Sequence, residues 1–220
     1  MSALPVSCRA IPVWLLASAL LALSGCAALP ERQAGHPPAS AEQLQAWETH
    51  RERVEAIKDW AFEARAAVRS GMKGGSGRLE WTQVGPVSSL TLSGPFDTGR
   101  LALTGTTSRM LITDARGNSR LSSDPEGLLE EMTGWRVPLA RLPRWVRGLP
   151  EDPLGDAAGG SYRLDDHGRL VRFSERQWTV EYDRYASTDG SPALPHFIEM
   201  HDDEVRIRLI IDRWHLEAGE

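Results

Sequence analysis

The sequence predicts a mainly β fold with an α lid: a curled antiparallel sheet, capped by about three short helices that enclose an apolar cavity. Three observations lead there. About ten short stretches alternate apolar and polar residues between turn signals, the mark of half-buried strands. Helical periodicity occurs in only a few short places. The chain also carries 8 Trp against 3 Tyr and 4 Phe, and so many bulky apolar rings must fill a core or line a hollow. A sheet with one apolar face must cover it. With so little helix available, it curls and takes the helices on its concave side.

Composition narrows the class further. The 220 residues include 25 Lys+Arg and 30 Asp+Glu, a net charge of −5. With no long basic run, a nucleic-acid partner is not expected. Two cysteines provide neither a disulfide framework nor a four-cysteine zinc site.

Residues 1–25 read as an export signal. Ile11–Leu23 is apolar apart from Pro12 and Ser18. It is shorter than the roughly 20 residues of a bilayer span but suits a signal peptide. The run ends in Leu23-Ser24-Gly25-Cys26. Small residues admit a peptidase, and the Cys26 thiol offers a site for acylation. This resembles the bacterial lipobox, which implies a lipid on Cys26. Stable anchoring takes more than one acyl chain, at about 0.8 kcal/mol per buried CH₂. Ala27 and Ala28 follow, without the Asp that often retains lipoproteins in the inner membrane, and this favours the outer membrane. Residues 26–39, with Pro30, Gly35, Pro37 and Pro38, read as a tether. Residues 40–220 are expected to form one domain.

Within it, Ser40 and Gln43 fit a capping box, and a helix should run to about Asp59 with Leu44, Trp47, Val54 and Ile57 on a narrow stripe. From Trp60 the period becomes two. Phe62, Ala64, Ala66 and Val68 alternate, and Gly71–Gly77 reads as a glycine-rich turn. Strands follow at Arg78–Gln83, Val87–Ser93, Arg100–Thr104 and Arg109–Thr113, with Gly117-Asn118 as a hairpin turn. Asp124-Pro125-Glu126 starts a helix and Gly134 can end it. Pro138–Gly148 reads as a short helix pair with Leu139, Leu142, Trp145 and Val146 on its apolar side. Strands resume at Tyr162–Asp165, Leu170–Glu175, Trp178–Tyr185, His196–His201 and Val205–Trp214.

No catalytic motif is present: no Gly-x-Ser-x-Gly elbow, phosphate loop or His-Glu-x-x-His. An enzyme, a metal site and a cofactor are therefore not expected. His201-Asp202-Asp203 and Asp165-Asp166-His167 read as solvated turn residues, His50 as a packed histidine and Arg206/Arg208 as the wet face of a strand. Phe96 stands apart. In Gly94-Pro95-Phe96-Asp97 it is a large apolar residue in a turn, either folded back on the sheet or exposed to a partner or membrane.

Taken together, these residues resemble the LolB family of outer-membrane lipoprotein receptors. The resemblance rests on Trp47 with His50, Leu79-Glu80-Trp81-Thr82-Gln83, Leu92-Ser93-Gly94-Pro95-Phe96 and Met132-Thr133-Gly134-Trp135-Arg136-Val137-Pro138-Leu139. It continues through Leu142, Trp145, Gly148-Leu149-Pro150, Gln177-Trp178-Thr179-Val180-Glu181-Tyr182, Tyr185, Pro195 and Ile211-Asp212-Arg213-Trp214. It implies an unclosed half-barrel of about eleven strands with a helical lid. It also implies a monomer on the periplasmic face of the outer membrane, which accepts acylated client lipoproteins from the periplasmic carrier LolA and inserts them into that membrane without a nucleotide. Phe96 takes the place of the family's protruding loop residue, usually Leu, and Asp97 stands where Gly is common. Strand parity and helix spacing assign the acyl-chain cavity to Leu90, Leu92, Leu101, Leu103, Trp135, Leu139, Leu142, Trp145, Trp178, Val180, Ile207 and Leu209. The alternative class is a structural or assembly lipoprotein that binds a protein partner through its sheet.

Overall fold

The structure is a computed structural model that describes residues 38–94, 99–154, 161–187 and 190–216. Cys26 and Phe96 lie outside the described residues, as do residues 1–37 as a whole.

Eleven strands form one sheet: β1 (Trp60–Ser70), β2 (Lys73–Val84), β3 (Val87–Ser93), β4 (Arg100–Thr106), β5 (Arg109–Thr113), β6 (Ser119–Ser122), β7 (Tyr162–Leu164), β8 (Leu170–Glu175), β9 (Trp178–Ala186), β10 (Leu194–His201) and β11 (Val205–Leu216). Their order is β6-β5-β4-β3-β2-β1-β11-β10-β9-β8-β7. The chain meanders from the centre to one edge, crosses to the other edge through residues 123–161, and meanders back until β11 pairs antiparallel with β1. Strands β6 and β7 are edges and do not pair with each other, so the sheet is unclosed. Among the described residues that segment carries two of the three helices, one packed on β5 and the other, through Trp145, on Phe173 and Trp178.

Inward and outward positions alternate along β1. Trp60, Phe62, Ala64 and Ala66 are buried. In register, Trp60 opposes Gln83, Phe62 opposes Trp81, Ala64 opposes Leu79, Ala66 opposes Gly77 and Val68 opposes Gly75. Inward bulk therefore tapers along the sheet from aromatic rings to bare backbone. At the bulky end Trp60, Phe62, Trp81 and Trp214 pack with ring centroids 5.0 to 5.8 Å apart. Trp214 joins them because a register shift between Glu63 and Ala64 places Asp212 out of step with β1. Such a bulge resets parity, so the inward series Val205, Ile207, Leu209, Ile211 continues at Trp214 rather than at Arg213.

Three local differences from the sequence expectation have physical causes. The glycine-rich stretch is not one long turn. Only Gly71 and Met72 turn the chain, and Gly74, Gly75 and Gly77 sit in β2 because the β1 backbone supplies their ladder partners. Strand β6 had no apolar alternation to reveal it and is mostly exposed. Pro138–Gly148 contains one helix of four residues, α3 (Leu142–Trp145), rather than a pair. Pro143 has no N–H to donate, so it is tolerated only in a first helical turn.

Helix α1 (Ala41–Glu55) is closed by the expected capping box. Gln43 N–H donates to Ser40 Oγ at 3.1 Å, and Ser40 N–H donates to Gln43 Oε1 at 2.9 Å. Trp47 and Val54 are its buried residues. Helix α2 (Pro125–Thr133) has Asp124 as N-cap and ends at Gly134, whose φ of 75° is left-handed and suits glycine. On the outer face, Arg208 donates to Glu199 at 2.6 and 2.9 Å and Arg206 also donates to it. The acidic turns behave as expected: Asp202 Oδ1 accepts from the N–H groups of Glu204 and Val205, and Asp165 Oδ1 from those of His167 and Arg169.

His50 on α1 packs edge-on against Tyr185 at 6.3 Å. Burial, then the positive charges of Arg169 and Arg53, pull its pKa from 6.5 down to about 4, against a small opposing effect of Asp165. The unfolded chain thus binds a proton here that the folded protein refuses. The contribution is full above pH 6.5 and is lost as pH falls toward about 4. His50→Phe is expected to flatten this part of the acid limb in a series of urea midpoints taken between pH 7 and 4.

Candidate functional site

The two halves of the lid are held differently. Trp145 of α3 is completely buried, packed on Phe173 at 6.0 Å and on Trp178 at 5.9 Å. Tyr182 donates its hydroxyl to the Trp145 carbonyl at 2.7 Å. Arg144 donates to Glu55 at 2.9 Å, and Arg147 donates to the Ile57 carbonyl at 2.9 Å, which ties α3 to the end of α1. Burial lowers the Arg147 pKa to about 10, so its guanidinium stays charged at neutral pH. Helix α2 buries Leu128 and Leu129 in the core, and adds exposed ion pairs, Arg120 to Glu131 at 2.8 Å and, to the segment just beyond its own end, Arg136 to Glu130 at 3.1 Å. Such pairs contribute about 0–1 kcal/mol each.

Beneath the C-terminal end of α2 lies a hollow of about 350 Å³, open on one side. Leu92, Leu101, Ala115, Met132 and Trp135 give it apolar walls, with Gly74, Gly75 and Ser76 along β2, and Arg100 and Asp114 as its charged groups. It lies where the taper of inward side chains has run out, at Gly75. The volume lies near the lower end of the roughly 300–1,000 Å³ typical of small-ligand pockets. That suits a slender apolar ligand, and anything bulkier must lift α2. A second hollow of about 400 Å³ lies near Trp60 and is lined by Glu55, Lys58, Gln83, Arg144 and Arg147. Its charged lining suits an apolar chain poorly.

Of the twelve residues assigned to an acyl cavity, Leu92, Leu101 and Trp135 line the first hollow. Leu90, Leu103, Leu139, Leu142, Trp145, Trp178, Val180, Ile207 and Leu209 are each less than a tenth exposed and belong to the surrounding core. Met132, Gly75 and Ala115 also line the hollow and were not assigned to it. For Gly75 the signal was available, because counting back by twos from Trp81 and Leu79 reaches it on the inward face.

Comparison with known proteins places this architecture. Residues 58–214 match the family model for the outer membrane lipoprotein LolB. The outer-membrane lipoprotein LolB of Xanthomonas campestris is 36% identical over 206 residues, covering 90% of this chain and 93% of the relative. That of Pseudomonas aeruginosa is 34% identical over 202 residues, covering 92% and 95%. Among solved structures, a LolA superfamily protein from Nitrosomonas europaea aligns with a TM-score of 0.46 at 11% identity, over 79% of this chain and 94% of that one.

Proposed function

This chain belongs to the LolB family of outer-membrane lipoproteins, and from that premise we propose that it receives acylated lipoproteins from the periplasmic carrier LolA and inserts them into the outer membrane. The observation that carries this reading is the apolar hollow beneath the C-terminal end of α2. An acyl chain entering it leaves water, at about 0.8 kcal/mol per buried CH₂. Transfer needs no bond to be made or broken. A client moves down a series of rising affinities from carrier to receptor to bilayer, and each step is driven only by the difference between successive sites. In this reading the side chains first in reach are Leu92, Leu101 and Trp135. The buried residues from Leu90 to Leu209 form the core around them.

In the same reading, Cys26 carries the acyl chains that hold the receptor at the membrane, residues 26–39 give it reach, and Phe96 delivers the client into the bilayer. In this reading the receptor acts as a monomer.

Native mass spectrometry of protein extracted from cells producing a tagged client tests the reading. A mass increment equal to an acylated client is expected, and it should disappear when the client's acylation site is removed. Association with the client regardless of acylation would favour a protein-binding lipoprotein that works through its sheet.

A further inference from the structure

Trp135 is the one tryptophan of the described residues that is only partly buried. It follows the left-handed Gly134, and its backbone N–H donates to Thr133 Oγ1 at 3.1 Å, which fixes the chain at the end of α2. Its ring lies over Gly75. A Cβ added at Gly75 would stand 3.1 and 3.2 Å from Trp135 Cζ2 and Cη2. Both are tighter than ordinary van der Waals contact. Apart from its chain neighbours, no other described residue is within 4 Å of that point. The ring edge thus rests on bare strand backbone, beyond the inward positions of β2 at Leu79 and Trp81 that carry side chains.

This arrangement has two physical consequences. First, the indole lines the hollow just beyond the end of α2, while Trp145 of α3 packs on Phe173 and Trp178, so displacing the Trp135 ring enlarges the hollow without disturbing those α3 contacts. Second, glycine at position 75 is not required by the backbone. Its φ is not left-handed, unlike that of Gly71 or Gly134. Glycine inside a strand weakens it and often marks a close approach by another group. Here that group is Trp135, and what shares the space with Trp135 is the open volume lined by Leu92, Leu101 and Met132.

We infer that Trp135 seated on Gly75 is a displaceable plug, and that the missing side chain at Gly75 sets how far an acyl chain can advance into the hollow. This rests on the receptor reading above. The chain's terminal methylenes pass beneath the indole along Gly74–Ser76. A side chain at position 75 closes that path, and removing the indole widens it.

The test uses the full-length protein, held by its own anchor in nanodiscs, with a diazirine-bearing palmitate as the probe. Photolabelled residues are mapped by mass spectrometry. Gly75→Val sets a side chain against the Trp135 ring, which must shift to admit it, so the unfolding midpoint is read beside the labelling and Gly75→Ala provides the milder change. Labelling within 74–76, 92, 101 and 132–135 is expected to drop about tenfold, as it would if one well-packed contact region were lost to the ligand. Trp135→Ala is expected to raise labelling of Leu92 and Leu101. Unchanged labelling in Gly75→Val, or reduced labelling in Trp135→Ala, would overturn the inference and leave the receptor reading intact. No labelling of the hollow in the unaltered protein would overturn both.

Discussion

Trp145→Ala is expected to lower the unfolding free energy by about 3–5 kcal/mol, the cost of removing a large buried ring. The indole is fully buried between Phe173 and Trp178, and its Nε1 makes no hydrogen bond among the described residues. The loss is therefore one of packing and cavity formation. The Tyr182 hydroxyl bonds the backbone carbonyl of Trp145, so that contact can persist in the variant. For a domain whose total stability is typically about 5–15 kcal/mol, this is a large share. Urea titration checks it. Trp145→Phe should recover part of the loss, and equal midpoints for the alanine variant and the unaltered protein would show that α3 is not the fixed half of the lid.

Phe96→Glu is expected to separate the two halves of the transfer reaction. The resemblance to the LolB family is what proposes Phe96 for delivery; in sequence it falls between strands whose last and first residues, Ser93 and Arg100, pair with each other. A carboxylate carried into the bilayer interior meets a penalty on the order of 3 kcal/mol, about a hundredfold in partitioning. Folding and uptake of client from the carrier should be unaffected, while release into vesicles falls steeply and client accumulates on the receptor. Phe96→Leu should release normally. Client release by the glutamate variant at the unaltered rate would exclude membrane contact by this residue.

Much of the sheet was legible because period-two alternation survives wherever one face is wet and the other dry. Val87–Ser93, Arg109–Thr113 and Leu170–Glu175 have the boundaries read from the sequence. The helix caps at Ser40 and Asp124 were equally plain, since each depends on a few adjacent residues. What alternation cannot reveal is depth. Leu92 and Val180 are both inward positions, yet one borders open space and the other lies in filled core. That difference depends on which helix sits overhead and how large its side chains are. The same limit hid β6, whose pairing with β5 requires no apolar side of its own. The glycines of β2 misled for a related reason. They look like a turn because they have no side chains, and in the fold that same lack makes them the floor of the hollow.

In the proposed role, this fold holds acyl chains and passes them on. The most direct measurement of that role follows a labelled lipoprotein presented on its soluble carrier, first to the purified full-length protein and then to outer-membrane vesicles. The label should move onto the protein without nucleotide, contact Leu92, Leu101 and Trp135 when cross-linked from those positions, and then appear in the vesicles. Label that stays on the carrier, or reaches the vesicles equally well without this protein, would contradict the account.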